Sequence, residues 1–512
     1  MAPFPSYVLR LTFHHRAIYC YLVLSLWILI LLGVMYKYIG IESDSLNLLK
    51  HHTTDFDGPN LRRHFPFIYK SRKIIQACNP YQRIAVGAEG NSNPNYTLEG
   101  ILVLIRHGDR GPLTHVQNIS NVNCVGPYDP LYATYENYID NITATPLRPQ
   151  ILGSSFHGIP LLPGNECSLG LLTKLGASQL LATGKALNKV YKSSLRLNTS
   201  MIKDDVIVFS TRYRRTLQSA LAFLFTFIEK DNFHKIVLQE APSLSFCFED
   251  CACPSADSYQ KNFYNENYRR IKSHPAVLEL VKSLSSIVYE SPDRKISSDP
   301  HSLKDALLTY VCHSANLPCI DSYSAQETCV KLEHISSLFS YLDSEYKQFG
   351  RSKNLKRLCI LRAYGLLKNI VSQLLRIVSE KRPKMVLYSG HDKTISYLAL
   401  ALGVTSNGVT SPHYASRLIF EVYKTQDQSA SSQAGPIGSD YFFRLVFNGN
   451  DVTKKVKFCK SFENMADTRS NDTTNKRNHT FFLCPIESIV RFLHDDYFSP
   501  FNATNIKDAC NM

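Results

Sequence analysis

Residues 106–112 read Arg-His-Gly-Asp-Arg-Gly-Pro, and they directly follow an apolar run, Ile-Leu-Val-Leu-Ile, at 101–105. An apolar run of this length that ends at Gly and Pro predicts a buried parallel strand opening into a loop. Ligands of open α/β sheets bind at the carboxyl ends of such strands. Arg106 and Arg110 offer permanently charged donors to a phosphate dianion, and a neutral His107 offers a nucleophilic nitrogen. A basic surface turn is the alternative, but this density of specified residue types favours phosphate chemistry.

Two other apolar strands are followed by residue types that suit the same chemistry. The run at 206–209 leads into Ser-Thr-Arg-Tyr-Arg-Arg-Thr and then into a predicted helix, whose positive end favours an anion. The run at 385–388 leads into Ser-Gly-His391-Asp392. A carboxyl group beside a phosphate site suits the proton donor that a leaving alkoxide needs. An isolated His-Asp pair is weak evidence, but after an apolar strand in this chain it indicates a catalytic acid.

These three pieces together resemble the histidine acid phosphatases, branch two of the histidine phosphatase superfamily. The marks of that family are Arg-His-Gly-x-Arg-x-Pro and a later His-Asp. Residues 170–179 resemble its Leu-Thr-x-x-Gly helix start, and the segment from Arg215 to Ala220 resembles its second-arginine segment. The similarity runs from about residue 97 to the carboxyl terminus. We therefore expect an α/β fold with a mostly parallel sheet flanked by helices, like that of phosphoglycerate mutase, with an inserted helical cap.

The resemblance also implies roles for individual residues. His107 is the expected nucleophile that forms a phosphohistidine, and Asp392 is the expected proton donor to the departing alcohol. The side chains expected to hold the phosphoryl oxygens are Arg106, Arg110, Arg215 and His391. No metal and no cofactor are expected, because fixed cations can stabilise the charge of a phosphoryl-transfer transition state. Asp109 is expected to orient Arg110 or the loop.

Two positions depart from the family pattern. An acidic residue often stands where this chain has Arg212 or Arg214, and we select Arg215 as the phosphate ligand because it directly precedes the matching threonine. Lys393 follows Asp392 where the family usually has a small or hydroxylated residue. An unpaired cation there lowers the pKa of the acid. Lys393 is therefore expected either to point away or to contact an anionic substrate.

The amino-terminal region predicts a membrane anchor. Residues 17–36 carry no formal charge, and twenty helical residues span roughly 30 Å, one hydrocarbon core. Arg10 and Arg16 precede this segment, so the bias of positive charge places the tail 1–16 in the cytosol. A cleaved signal peptide is the alternative, but the apolar run is long for one. We expect a single-pass type II protein whose segment 17–36 lies in a lipid bilayer.

The composition after the anchor fits an oxidising, glycosylating compartment. Thirteen of the fourteen cysteines follow the anchor, and an odd number predicts at least one unpaired thiol. Asn-x-Ser/Thr sequons occur only there, at Asn95, Asn118, Asn141, Asn198, Asn471, Asn478 and Asn502. The formal charge of +14 suggests anionic partners. The basic residues are dispersed and accompany no nucleic-acid-binding motif, which argues against nucleic acid as a partner.

The sequence also suggests an order of domains. Residues 37–95 are expected to form a lumenal stem and residues 96–512 the phosphatase domain, with the helical cap at about 235–375. The Tyr- and Pro-rich segment 126–163 is expected to be a loop over the sheet, with a sugar-stacking wall as the alternative. The stretch 426–440 is expected to be a surface loop.

The anchor bears on cellular location and substrate. Lysosomal-type relatives have a cleaved signal and a carboxyl-terminal anchor, whereas a type II anchor with a stem is the layout of Golgi glycan-modifying enzymes. The chain resembles Golgi members of the phosphatase family both in this anchor and in residues 447–453. That resemblance implies a Golgi membrane protein that acts on a phosphorylated glycan. The expected substrate is the 2-O-phosphate on xylose in the proteoglycan linkage region. Golgi glycosyltransferases are candidate partners.

Two other functions remain open at this point. A family member that hydrolyses lysophosphatidate or another small monoester shares the same core. Inositol phosphates are disfavoured, because phytase-like members have His-Ala-Glu where this chain has His391, Asp392 and Lys393. A non-catalytic protein that captures phosphorylated glycans is a third reading, and it would form no phosphohistidine.

Overall fold

The computed structural model describes residues 25–27, 29, 72–91, 93–145, 151–197, 201–240, 252–291, 296–320, 328–405, 407–426, 440–462 and 481–511. The chain divides into two units, Met1–Pro66 and Phe67–Met512. In the first unit, Ser25 to Trp27 and Leu29 are helical. The rest of the expected anchor at 17–36 lies outside the described residues, as does most of the loop expected at 426–440.

The second unit contains the strands and helices that position the site. The strands are β1 (Tyr96–Arg106), β2 (Val206–Ser210), β3 (Leu238–Glu240), β4 (Cys319–Ile320), β5 (Thr328–Cys329), β6 (Met385–Gly390), β7 (Arg417–Thr425), β8 (Tyr441–Phe447), β9 (Asn450–Asp451) and β10 (Cys484–Pro485). The helices are α1 (Arg72–Cys78), α2 (Pro130–Thr143), α3 (Lys174–Tyr191), α4 (Arg214–Phe227), α5 (Pro254–Lys272), α6 (Pro275–Val288), α7 (Pro300–Cys312), α8 (Leu332–Phe349), α9 (Lys353–Glu380), α10 (Asp392–Ala401), α11 (Asn407–Thr410), α12 (Ile486–Arg491) and α13 (Ile506–Cys510).

The central sheet is mixed, which corrects the expectation of a mostly parallel one. Its strand order is β10-β8-β7-β1-β6-β2-β3, with β9 paired to β8. The pairs β1/β6, β6/β2 and β2/β3 are parallel. The pairs β1/β7, β7/β8 and β8/β10 are antiparallel. The antiparallel half escaped prediction because Glu421 and Arg444 interrupt the apolar pattern of β7 and β8, although both are buried and pair with each other at 2.6 Å.

Helices cover both faces of this sheet, as the α/β prediction required. Alternate residues of β1 point to opposite faces. Ile101, Val103 and Ile105 pack in one apolar cluster with the buried sides of α2, α3 and α4. Leu102 and Leu104 pack in the other cluster with α9 and α10. Each of the three predicted strands, at 101–105, 206–209 and 385–388, lies within an observed strand.

Helices α6, α7 and α8 build a separate apolar cluster that packs against α1 and the loop after β1. Helix α9, in contrast, belongs to the cluster on the sheet. The cap boundary at about 235–375 stays a prediction. Among the described residues, α9 is the one helix long and apolar enough to span a membrane, but most of it is buried inside the protein.

Residues 72–91, the end of the expected stem, pack against the phosphatase domain. A disulfide joins Cys78 to Cys312 at the end of α7. Glu89 and Arg417 form an ion pair of 2.6 Å in which both side chains are buried. The remainder of the stem region lies outside the described residues, apart from Asn93 to Asn95.

The segment 126–163 contains a helix rather than only a loop. Asp129 accepts a hydrogen bond from the N–H of Leu131, and Pro130 is the first residue of α2. Both are ordinary signals of a helix start. Tyr132 and Tyr135 lie on its buried face, with 6% and 0% exposure. These two rings are core residues, so they cannot stack on a sugar.

Disulfides tie distant parts of the chain together. The described bridges are Cys78–Cys312, Cys124–Cys167, Cys253–Cys510, Cys319–Cys329 and Cys459–Cys484. Cys359 on α9 is a free, buried thiol, in agreement with the odd number of cysteines. Cys247 and Cys251 lie outside the described residues.

Candidate active site

The three polar segments meet because their strands are neighbours in the sheet. Strand β6 lies between β1 and β2, and all three are parallel. Arg106 is in register with Gly390, and Ser210 is in register with Ser389. The loops that follow these strands therefore leave the sheet at one edge. The structure thus brings the predicted site residues together.

Two glycines fix the path of the loop after β1. A Cβ atom on Gly108 would lie 2.1 Å from the carbonyl oxygen of Gly176, and one on Gly176 would lie 2.2 Å from that of Asp109. Only glycine allows such an approach of two backbones. Thr173 caps α3 by accepting a hydrogen bond from the N–H of Gly176 at 3.0 Å. The Leu-Thr-x-x-Gly motif thus presses the start of α3 against the catalytic loop.

His107 is held in the form that a nucleophile needs. Its Nδ1 lies 2.8 Å from the carbonyl oxygen of Gly108, so Nδ1 carries the proton and Nε2 keeps its lone pair. Burial is the main reason that the pKa of His107 lies well below its ordinary value, and the charges of Arg106 and Arg215 lower it further. The imidazole is therefore neutral at physiological pH.

Three guanidiniums lie near His107. Arg106 donates to the carbonyl of Pro412 at 2.7 Å and stacks over the ring of Tyr414 at 4.4 Å. Arg215 stacks over the ring of Tyr213 at 4.5 Å. Burial and the charge of neighbouring Arg110 lower the pKa of Arg215 to about 10, so it remains a cation at neutral pH.

Arg106, Arg110 and Arg215 each have one guanidinium donor that makes no hydrogen bond to a described residue. The Nε atoms of Arg106, Arg110 and Arg215 are buried and have no hydrogen-bond partner among the described residues. A buried donor without a partner is costly unless a ligand supplies the acceptor. The oxygens of a phosphate group are acceptors of the required kind.

Arg215 and its two neighbours differ in their surroundings. Arg214 donates to the carbonyl of Leu162 at 3.2 Å, and its Nε, like that of Arg215, is buried without a partner among the described residues. Arg212 is exposed. Arg215 is the one of the three whose charge affects both His107 and His391. The choice of Arg215 as the phosphate ligand stays a prediction, and this arrangement favours it.

His391 directly follows β6 and caps α10, and Asp392 is the first residue of that helix. Nε2 of His391 lies 3.1 Å from the hydroxyl of Thr211. Burial, followed by the charge of Arg215, lowers the pKa of His391 to about 3, so this ring is also neutral. Asp392 lies 3.8 Å from Arg106 and its side chain is half exposed. Partial removal from water raises the pKa of Asp392, but Arg106 and the N–H of Lys393 lower it more, and the net shift is downward.

Lys393 affects this acid in the direction expected from the sequence. Its N–H donates to Oδ1 of Asp392 at 2.7 Å, and its side-chain charge contributes to the low pKa of Asp392. Lys393 also lines a cavity of about 770 Å³ that Asp392 and Arg106 border. Of the two alternatives for Lys393, its position on this cavity fits contact with an anionic substrate.

Helix α7 adds two residues that the sequence did not reveal. Asp305 binds Arg110 with both carboxylate oxygens, at 2.8 and 3.0 Å. His313, just after the helix, lies 2.7 Å from Oδ2 of Asp109, and both side chains are buried. Asp109 also accepts a hydrogen bond from Thr173 at 2.7 Å. Asp109 therefore anchors the loop through Thr173 and His313, while Asp305 orients Arg110.

The ends of the parallel strands thus bring together a neutral imidazole, three guanidiniums and a carboxyl group. This arrangement suits phosphoryl transfer. Comparison with known proteins gives the family. The family model of the histidine phosphatase superfamily (branch 2) matches residues 97–448. The chain belongs to this family, and it is a phosphomonoester hydrolase of the histidine acid phosphatase type.

Individual relatives are similar over most of the chain. A 2-phosphoxylose phosphatase 1 from Xenopus tropicalis is 29% identical over 437 residues, covering 83% of this chain and 79% of the relative. The Homo sapiens protein of that name is 27% identical, covering 83% of each chain. Among solved structures, the multiple inositol polyphosphate phosphatase of Bifidobacterium longum, in complex with inositol hexasulfate, matches with a TM-score of 0.49 and 13% identity. That match covers 83% of this chain and 98% of that one.

Proposed function

We propose that this protein removes the 2-O-phosphate from xylose in the proteoglycan linkage region, through a phosphohistidine at His107. The observation that carries the catalytic part is a buried, neutral His107 with a lone pair at Nε2, beside three guanidiniums with unpartnered donors. The relatives named 2-phosphoxylose phosphatase support the choice of substrate.

In the first step, Nε2 of His107 attacks phosphorus and the bond from phosphorus to the sugar oxygen breaks. The carboxyl group of Asp392 gives its proton to that oxygen, so the sugar leaves as a neutral alcohol. Arg106, Arg110, Arg215 and His391 bind the phosphoryl oxygens. The carbonyl of Gly108 accepts a hydrogen bond from Nδ1 and stabilises the positive charge that the ring gains.

In the second step, water attacks the phosphohistidine. The carboxylate of Asp392 takes a proton from this water, the bond from Nε2 to phosphorus breaks, and inorganic phosphate leaves. His107 returns to its neutral form and Asp392 to its protonated form. The arginines stabilise the charge of both transition states, which is the main contribution a protein makes to phosphoryl transfer.

The same proposal places the enzyme in the Golgi membrane, with segment 17–36 in the bilayer and the phosphatase domain in the lumen. The described sequon residues Asn95, Asn118, Asn141 and Asn502 are all exposed, as glycosylation requires. The disulfides suit an oxidising compartment. Glycosyltransferases that extend the same linkage region are the candidate partners.

A substrate panel tests the proposal. Wild type and His107→Ala are compared on a phosphoxylosyl linkage oligosaccharide and on lysophosphatidate. We expect wild type to prefer the oligosaccharide, and His107→Ala to lose hydrolysis of both. A preference for lysophosphatidate would instead support the lipid-phosphate alternative.

The covalent intermediate needs its own measurement. Wild type mixed with ³²P-labelled substrate and quenched in alkali, in which phosphohistidine survives, should carry label on His107. Labelled protein should be absent in His107→Ala. Binding of the oligosaccharide without labelling or turnover would support the non-catalytic reading.

A further inference from the structure

The cavity beside the catalytic acid has a wall that phosphate binding does not use. It holds about 770 Å³ and extends from Arg106 and Asp392 to the cap helices α7 and α8. Its cap side presents the aromatic rings Phe263, Phe339, Tyr346 and Phe349. Asp392 borders this cavity, so under the proposed mechanism the cavity lies beside the oxygen of the departing alcohol.

Lys304 is a cation of this wall that lies over two aromatic rings. Its Nζ lies 5.3 Å from the ring centre of Phe339 and 5.2 Å from that of Tyr346. Two aromatic faces hold the ammonium in place. Among the residues that the structure describes, no carboxylate lies within ion-pair distance of Lys304. Its ammonium is therefore held at the cavity by the two rings rather than by a direct ion pair with a described residue.

The other charged groups of the wall mostly neutralise each other. Asp305 pairs with Arg110. His301 pairs with Glu345 at 2.9 Å. Lys393 lines the cavity beside Asp392, and Asp343 is a further carboxylate on the lining. Once a phosphate dianion occupies the arginines and Asp392 is protonated, Lys304 and Lys393 outnumber the remaining carboxylate, Asp343, so the described lining carries a net positive charge.

The pKa of Tyr346 is lowered by positive charge on the same wall. Burial raises the pKa of this phenol, but the charges of Lys304 and His301 lower it more, and the net shift is downward. The positive charge of Lys304 that lowers this pKa would also attract the carboxylate of a ligand. The adjoining rings offer faces on which a sugar can stack.

We propose that this cavity is a subsite for a leaving group that carries a carboxylate, with Lys304 as its main ligand and Lys393 as a second cation. The inference rests on the proposed phosphatase function and deepens it. The favoured substrate is a phosphate monoester of an acidic glycan, rather than of a neutral sugar or a lipid. Lys393, the departure from the family pattern, thereby acquires a role in specificity.

Paired substrates isolate this contribution. The 3- and 4-carboxyphenyl phosphates are compared with the corresponding carbamoylphenyl phosphates, which have nearly the same shape but no charge. The measured quantity is the ratio of kcat/KM for the acid to kcat/KM for the amide, at a pH where the carboxylate is ionised. Changes that alter catalysis equally for both esters cancel in this ratio.

We expect the ratio to exceed one in wild type for at least one isomer and to fall about tenfold in Lys304→Gln, since a charge-assisted contact is lost. Lys304→Arg should retain most of the preference. Lys393→Thr should lower the ratio by a smaller factor, and because the side chain of Lys393 is exposed, this change removes no buried packing. Lys347→Gln removes a positive charge from an exposed position of α8 outside the cavity lining and should leave the ratio unchanged.

The same ratio in wild type, Lys304→Gln and Lys393→Thr would overturn the subsite while leaving the phosphatase proposal intact. Failure of the phosphatase proposal has a different signature, namely no hydrolysis of any of the four esters by wild type, or equal hydrolysis by His107→Ala. A loss of ratio in Lys347→Gln as large as in Lys304→Gln would also overturn the subsite, because it would show a general effect of net charge.

Discussion

Asp392 has a pKa below its ordinary value in the free protein, yet the proposed first step needs its proton. A bound phosphate dianion resolves this conflict, because its negative charge offsets Arg106 and so raises the pKa of Asp392 in the complex. Substrate binding therefore favours the protonated, neutral form of Asp392. Free and substrate-bound enzyme should differ in the pH at which Asp392 loses its proton.

The first prediction concerns the leaving group. A sugar alkoxide needs a proton as it departs, whereas 4-nitrophenolate is stable without one. We expect Asp392→Asn to lower kcat for a sugar phosphate by roughly 10²–10⁴-fold, the usual contribution of a general acid. The loss for the first step with 4-nitrophenyl phosphate should be far smaller, and single-turnover kinetics measure that step alone. Equal losses for both substrates would contradict the role of Asp392 as the acid.

The second prediction concerns pH. A lowered pKa means that the protonated fraction of Asp392 falls as pH rises from the acid range towards neutrality. The value of kcat/KM for a sugar phosphate should therefore fall over that range. His107 does not limit the rate there, because its own pKa is lowered and it stays neutral. Profiles of wild type and Asp392→Asn measure the effect, and a decline of the same steepness in the variant would assign it to another group.

At the scale of elements, helix α7 connects the cap to the catalytic loop. Asp305 binds Arg110 from within the helix, and His313 binds Asp109 just beyond its end. In the proposed mechanism, α7 therefore helps to place Arg110, an expected phosphate ligand, without itself contacting the phosphate. Asp305 is a positioning residue in this arrangement.

The third prediction tests that role. Asp305→Asn should raise KM for phosphate esters about tenfold, since Arg110 loses one of the two charge-assisted bonds that orient it. Asp305→Glu should restore part of the loss. Asp257→Asn is the matched control, because Asp257 pairs with Arg362 at 2.5 Å and has no described bond to the catalytic loop. An unchanged KM in Asp305→Asn, measured beside an intact thermal transition, would refute positioning by Asp305.

The sequence predicted the elements in which local pattern and final environment agree. Strands β1, β2 and β6 are buried on both faces, so their apolar runs could be recognised. Strands β7 and β8 could not, because Glu421 and Arg444 look exposed in sequence and are neutralised only by each other. Helix α2 had a readable start at Asp129 and Pro130, which the tyrosine-rich composition obscured.

The residues of the site also divide into those that the local sequence could predict and those that it could not. His107, the arginines and the His391-Asp392 pair follow strand ends, and the parallel order of those strands brings them together. Asp305 lies within an amphipathic helix, where an acidic residue ordinarily faces water. Nothing local distinguishes it, since its partner Arg110 is distant in sequence. Contacts between the cap and the sheet domain require the fold itself.

At the scale of the whole molecule, the described disulfides differ in the length of chain that each one closes into a loop. Cys78–Cys312 closes a loop with a sequence separation of 234 and joins α1 to the end of α7. Cys319–Cys329 closes a loop with a separation of only 10, within a small hairpin. In the chain-entropy account, a bridge stabilises more when it closes a longer loop.

The fourth prediction compares these two bridges. Replacing both cysteines of a pair by alanine should lower the free energy of unfolding more for Cys78–Cys312 than for Cys319–Cys329, by roughly 2–3 kcal/mol from the loop lengths. Urea unfolding of both double variants beside wild type measures the difference. The Cys78–Cys312 variant should also lose activity at a lower urea concentration than wild type, because α7 holds Arg110 and Asp109. Equal stability of the two variants would mean that native contacts, rather than the entropy of the unfolded chain, determine what each bridge contributes.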